Sequence, residues 1–163
     1  MKVAIVADTH DNLENLRKFL GFLKKEKIKV LIHCGDVTNE ETLREIEKNF
    51  EGEIFLSLGN ADFKDSLLRA AKKTKIFEEK GKLEIGGLKI GFCHKLNLKE
   101  AKKEVESFDF FFFGHTHYPF IKKEKTWTLA NPGNLAGLSF KATFAVLDTQ
   151  ERKLELKILE RIE

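Results

Sequence analysis

Apolar positions along this chain fall into two alternating rhythms. Unbroken runs at 2–7 ("KVAIVA"), 29–34 ("KVLIHC") and 53–58 ("EIFLSL") read as strands covered on both faces, which have no polar face to alternate with. Between them lie helical stripes. "DNLENLRKFLGFLKK" at 11–25 sets Leu13, Leu16, Leu20 and Leu23 on one face, with Asp11 and Glu14 as a capping-box-like start. "NEETLREIEKNF" at 39–50 and "DSLLRAAKK" at 65–73 follow the same period. The order βαβαβα predicts a parallel sheet with right-handed crossovers.

Past residue 80 the rhythm changes. "KLEIGGLKIGFC" at 82–93 reads as two strands turned at Gly86-Gly87, a hairpin signal. A helix is expected at 98–108, then a strand at 110–113, where Phe110 and Phe112 should face one layer and Phe111 and Phe113 the other. The rest is strand: 120–123, 126–130, a turn at Asn131-Pro132-Gly133, then 141–148 and 153–160 joined near 149–152. The expected fold class is α/β, with two mixed sheets packed face to face and helices outside, forming one domain over residues 1–163.

The residues just past each strand change the picture. Asp8-Thr9-His10 comes after the first, Gly35-Asp36 after the second and Gly59-Asn60-Ala61-Asp62 after the third; His94 comes after the hairpin and Gly114-His115-Thr116-His117 after the Phe strand. Ligands in open α/β sheets bind just past the carboxyl ends of strands. Two aspartates, one asparagine and four histidines therefore converge on one rim. Oxygen and imidazole donors without thiolate suit Mn, Fe, Zn, Ni or Co, and seven exceed the needs of one four-coordinate ion. Two divalent ions are implied, a pairing used to activate water and neutralise charge in phosphoryl or acyl displacement. The glycines at 35, 59 and 114 suit tight turns or close backbone approach. His33 lies inside its strand and reads as structural.

Composition excludes more than it selects. The chain has 163 residues, 42% hydrophobic and 34% charged, with a formal net charge of +3. Its lysines are interleaved with acids, which argues against nucleic acid as a partner other than as a phosphodiester substrate. The N-terminus carries no signal-peptide pattern and no run approaches transmembrane length, so a cytoplasmic location without a membrane partner is expected. A homo-oligomer remains open. Cys34 and Cys93 sit in apolar strand patterns and read as small buried hydrophobes.

In order and spacing, "DTH" at 8–10, "GD" at 35–36, "GN" at 59–60, His94 and "GHTH" at 114–117 resemble the calcineurin-like metallophosphoesterases. The compact length, "GHTHYP" and "NPG" are similar to their small prokaryotic phosphodiesterase branch. The resemblance implies a phosphoric ester hydrolase acting on a small phosphate ester. Asp8, His10 and His117 would bind one ion, Asn60, His94 and His115 the other, and Asp36 would bridge them. A hydroxide between the ions would attack phosphorus in line. Catalysis falls to Asp36, Asn60 and His94, and the neutral amide of Asn60 would keep the site positive enough to hold a phosphate. Asp62 would orient its loop or cap the next helix. Many relatives have histidine where this chain has Ala61, and Gly-His where Lys95-Leu96 follows His94; both changes bear on substrate contacts. The alternatives are a non-catalytic scaffold, as in the similar eukaryotic retromer subunit, or a phosphate-ligand binding protein. The complete donor set favours the hydrolase.

Overall fold

The computed structural model describes residues 1–162. Two sheets pack face to face. The first has six strands: β1 (Lys2–Val6), β2 (Val30–His33), β3 (Glu53–Ser57) and β4 (Thr74–Phe77) run parallel, and β10 (Thr143–Asp148) and β11 (Lys153–Ile158) extend the β1 edge antiparallel, giving the order β11-β10-β1-β2-β3-β4. The second has the order β5-β6-β7-β9-β8, built from β5 (Lys80–Ile85), β6 (Leu88–Cys93), β7 (Phe110–Phe113), β8 (Phe120–Lys123) and β9 (Thr128–Asn131). Here β6, β7 and β9 are parallel, while β5 and β8 pair antiparallel at the edges.

Strand alternation sorts the core into three layers. Val3, Ile5, Ile32, Phe55, Phe92, Phe110 and Phe112 meet between the sheets. Ala4, Val6, Leu31 and Leu56 turn the other way, against Leu16, Phe19 and Leu23 of α1 (Leu13–Lys25), Leu43 and Ile46 of α2 (Glu40–Asn49) and Leu67 of α3 (Lys64–Ala70). On the far side Phe111, Phe113 and Leu129 pack with Val105 of α4 (Lys102–Val105) and with Phe108. The Phe run thus divides between two layers as its alternation predicts. Burying such a side chain contributes about 1.5–3 kcal/mol, so this one strand ties both layers together.

Several boundaries differ from expectation. The cap of α1 is Asn12, whose side chain accepts the Asn15 N–H at 3.1 Å, and not Asp11. Asp11 instead accepts the Thr42 hydroxyl at 2.6 Å, linking α1 to α2. The helix expected at 98–108 is only four residues long. The Asn97 carbonyl takes the N–H groups of Glu100 and Ala101, and Ser107 folds back onto the Glu104 carbonyl, so turns occupy both ends. Strand β4 had no sequence signal of its own. It pairs parallel with β3, and the Glu47 carboxylate of α2 fixes the chain at its start, accepting the N–H groups of Lys72, Lys73 and Thr74 and the Thr74 hydroxyl.

Register aligns the strand ends. Val6 lies opposite His33, and His33 opposite Leu56; in the other sheet Cys93 lies opposite Phe113. Five loops therefore leave the two sheets at one rim. Pairing continues past the strands, with Asp8 N–H on the Gly35 carbonyl (2.9 Å), Thr9 N–H on the Asp36 carbonyl (3.0 Å) and Gly114 N–H on the His94 carbonyl (2.9 Å).

Candidate metal centre

The rim gathers the seven donors that the sequence singles out. Asp8 Oδ1 lies 3.3 Å from His117 Nε2 and 3.6 Å from His10 Nε2, and the two imidazole nitrogens face each other at 3.2 Å. Asp36 Oδ2 lies 3.5 Å from His10 Nε2 and 3.3 Å from His94 Nε2. Asn60 Oδ1 meets His94 Nε2 at 2.9 Å, and the His115 ring stands edge-on to His94 with centroids 5.1 Å apart. Donor atoms of Asp8, His10 and His117, and separately of Asp8, Asp36 and His94, all fall within 4.8 Å of one another.

Each buried donor has one polar atom occupied and one left facing inward. Asp8 Oδ2 accepts the His115 N–H at 3.0 Å, while the buried Oδ1 has no hydrogen-bond partner. Asp36 Oδ1 accepts the Ala61 N–H at 2.9 Å, which aims Oδ2 between His10 and His94. The His94 Nδ1–H donates to the Cys34 carbonyl at 2.8 Å, so Nε2 is the ring nitrogen turned to the site. Outer partners of this kind fix the tautomer and orientation of metal-ligating imidazoles. An orphaned buried carboxylate oxygen beside imidazole nitrogens fits a divalent cation, because an unpaired polar atom in such a place is otherwise costly.

Electrostatics divide the set. Burial pushes the Asp8 carboxyl up to about 7, with the charge of His94 pulling the other way. Burial also opposes ionisation of Asp36, but the hydrogen bonds from His94 and from the Ala61 N–H hold it below the ordinary carboxylate value. Burial opposes a charge on His94, yet Asp36 beside it raises the ring above the usual histidine value. His115 and His117 are lowered by burial, with His94 and His10 respectively adding repulsion. Metal ligation requires neutral imidazoles and ionised carboxylates; Asp36, His115 and His117 already lie in that direction, whereas Asp8 and His94 would be drawn to it by a bound cation.

The backbone is bent to achieve this. Asp8, His10, Asp36, His115 and His117 all have φ between 41° and 69°. Each such non-glycine residue costs on the order of 1–2 kcal/mol, and strain of this kind gathers at functional sites. Gly59 makes the approach possible: a Cβ there would lie 2.1 Å from Asp36 Oδ1. At Gly35, with φ 92°, a Cβ would lie 2.6 Å from His94 Nδ1.

Sequence reasoning under-read the groups that hold these loops. Asp62 does orient its loop: Oδ2 accepts the N–H groups of Asp36 and Gly59, and Oδ1 that of Thr38. It does not cap α3, whose N-cap, Phe63, has no side-chain bond. Asn131, noticed only as part of a turn, donates to the Gly114 carbonyl at 2.9 Å and to the Thr116 hydroxyl at 3.0 Å, bracing the two-histidine loop. His33 is buried as expected and bonds Thr9, between the donors Asp8 and His10, at 2.8 Å. Ala61 contributes through its backbone N–H. Lys95 is exposed beside His94.

This fold, with donors at five aligned strand ends, defines a class, and the model of the calcineurin-like phosphoesterase superfamily domain matches residues 1–152; the chain belongs to that family. Among its relatives is phosphodiesterase MJ0936 of Methanocaldococcus jannaschii, 29% identical over 98% of this chain and 100% of that protein. A solved archaeal phosphodiesterase superposes with a TM-score of 0.86 at 28% identity, covering 97% of this chain and 99% of its own. A structure of Vps29 from Entamoeba histolytica gives 0.70 at 18% identity, covering 97% and 99%, a likeness of fold alone. No helix among the described residues is long and apolar enough to cross a membrane.

Proposed function

We propose that the chain is a metal-dependent phosphodiesterase working on a small phosphate ester through two divalent transition-metal ions. Asp8, His10 and His117 would hold one ion and Asn60, His94 and His115 the other, with Asp36 between them. The observation that carries this is the placement of Asp36: Oδ1 is held by the Ala61 N–H, and Oδ2 lies within 3.5 Å of one imidazole from each set. When bound, a pair of such ions supplies an activated water for in-line attack and neutralises charge gathering on the phosphoryl oxygens. The protein's own part is orientation. His94 is fixed through Nδ1, Asp36 through Oδ1 and Asp8 through Oδ2, so little rearrangement accompanies substrate binding. Asn60, the most exposed of the seven donors, brings no charge, which leaves the site attractive to a phosphate anion. Mn, Ni, Fe, Co and Zn all suit the donor set.

The test combines metal content with turnover of bis(p-nitrophenyl) phosphate. Two equivalents are expected, with activity lost in EDTA and restored by Mn or Ni. Asp36→Ala should cost more activity than His10→Ala, because it touches both ions. One equivalent of metal, unchanged in Asp36→Ala, would defeat the bridge; full metal content without turnover of any diester would point to a scaffold or a phosphate-binding protein.

A further inference from the structure

Beside the histidine pair the surface turns aromatic. Tyr118, directly after His117, is 57% exposed, and Phe140 is 45% exposed. Their rings meet edge to face with centroids 5.2 Å apart and planes at 84°. An edge-to-face pair engages one face of one ring, so the exposure leaves aromatic surface facing solvent at the lip of the site.

The pair is tied to the metal rim by a buried clamp. Asn134, fully buried, donates to the His117 carbonyl at 3.2 Å and to the Leu138 carbonyl at 3.3 Å, and its Oδ1 accepts the Leu138 N–H at 2.7 Å. The same loop is pinned by the Leu135 N–H on the Ala7 carbonyl (3.0 Å) and the Ala136 N–H on the Asp8 carbonyl (3.1 Å). The loop carrying Phe140 is thus bonded to the segments that present Asp8 and His117. The bonds fix where this loop and the Tyr118 segment sit relative to the rim.

We propose that Tyr118 and Phe140 form a stacking platform for a nucleobase carried on one ester group of the substrate, which makes nucleoside phosphodiesters the substrate class. This rests on the phosphodiesterase reading above. Every base offers a π-face, and stacking on an aromatic side chain contributes affinity without hydrogen-bond readout. A ring face left open by this edge-to-face pair suits a planar ring held at the surface. An acyl chain would instead require an enclosed groove.

The experiment measures binding of thymidine 5′-phosphate and of methyl phosphate to the Mn-loaded protein by calorimetry. The two share the phosphate and differ in the base. Wild type should favour the nucleotide, and Tyr118→Ala and Phe140→Ala should each reduce that preference by about 5- to 100-fold. Tyr118→Phe should retain it, because the ring carries the contact. Equal affinities in wild type, or a preference untouched by both alanine variants, would overturn the platform. So would sedimentation showing a wild-type dimer that Tyr118→Ala separates, since the occupant would then be a second copy of the chain. Turnover of bis(p-nitrophenyl) phosphate is measured alongside. Its absence with a ring-dependent preference intact would sink the hydrolase and spare the platform; turnover without the preference would do the reverse.

Discussion

The two sides of the rim are built by opposite means. Asp8, Asp36 and His94 are at most 3% exposed, and each has one polar atom committed to a backbone group. Asn60 is exposed, His115 and His117 are half-buried, and beyond them lie Tyr118 and Phe140. The closed side fixes where charge sits, and the open side meets whatever approaches. Substitutions should divide accordingly: those on the closed side alter metal binding, and those at Tyr118 and Phe140, beyond the donors of the open side, alter which ester is preferred.

The sharpest way to break the closed side leaves every donor in place. In Gly59→Ala the new methyl group would lie 2.1 Å from Asp36 Oδ1 and 2.6 Å from the Asp36 backbone nitrogen, so the carboxylate or the loop must move. A displacement of about 1 Å in a reacting assembly can cost roughly 10²-fold. Gly59→Ala should therefore lose at least about 100-fold in diester turnover, with less than two equivalents of metal by elemental analysis and an unchanged far-ultraviolet spectrum. Full metal content would show that the packing around Asp36 is slack.

A gentler break removes one hydrogen-bond acceptor. The two oxygens of Asp62 accept three backbone N–H groups, whereas an asparagine has one oxygen and an NH2 that would face another donor. Asp62→Asn should weaken Mn affinity about 10- to 100-fold, the usual effect of losing an outer partner, with kcat recovering at high metal. Unchanged affinity would mean that the strained 35–38 turn holds itself.

The chain showed its periodic parts and hid its cross-links. Strands β1, β2, β3 and β7 were legible because an unbroken apolar run has few alternatives, and the seven candidate donors because each lies just past an expected strand. Strand β4 was not legible, since its four residues pair with the distant β3 and the turn leading into it is held by Glu47 of α2, over twenty residues earlier. The start of α1 was misread for a related reason: Asp11 and Asn12 are both good caps, and only the distant Thr42 hydroxyl decides which one is free. Asn131 looked like a turn residue and Asn134 gave no signal, because their partners, Gly114, Thr116 and His117, are adjacent only after the second sheet forms.

His33 offers the smallest and most separable effect, because it supports the closed side without being a donor to it. The Gly35 N–H donates to its Nδ1 at 3.2 Å, so the ring proton sits on Nε2 and is given to the Thr9 hydroxyl at 2.8 Å. Burial lowers its pKa to about 3, even though the nearby Asp36 carboxylate favours the charged ring. The folded ring therefore stays neutral where the unfolded one, near 6.5, takes a proton. Its contribution to stability is fully present above about pH 6.5 and is lost as pH falls from there towards about 3. At pH 5 the unfolded ring lies about 1.5 pH units below its own midpoint, which corresponds to roughly 2 kcal/mol. Gln in its place can reach Thr9 but does not titrate. Urea unfolding in EDTA at about pH 7.5 and about pH 5 should show wild type losing about 2 kcal/mol more than His33→Gln between the two conditions. Asp8, His94, His115 and His117 titrate in both proteins and cancel in the difference. Identical losses would mean that His33 takes up its proton without unfolding, and that the pocket behind Thr9 admits a charge.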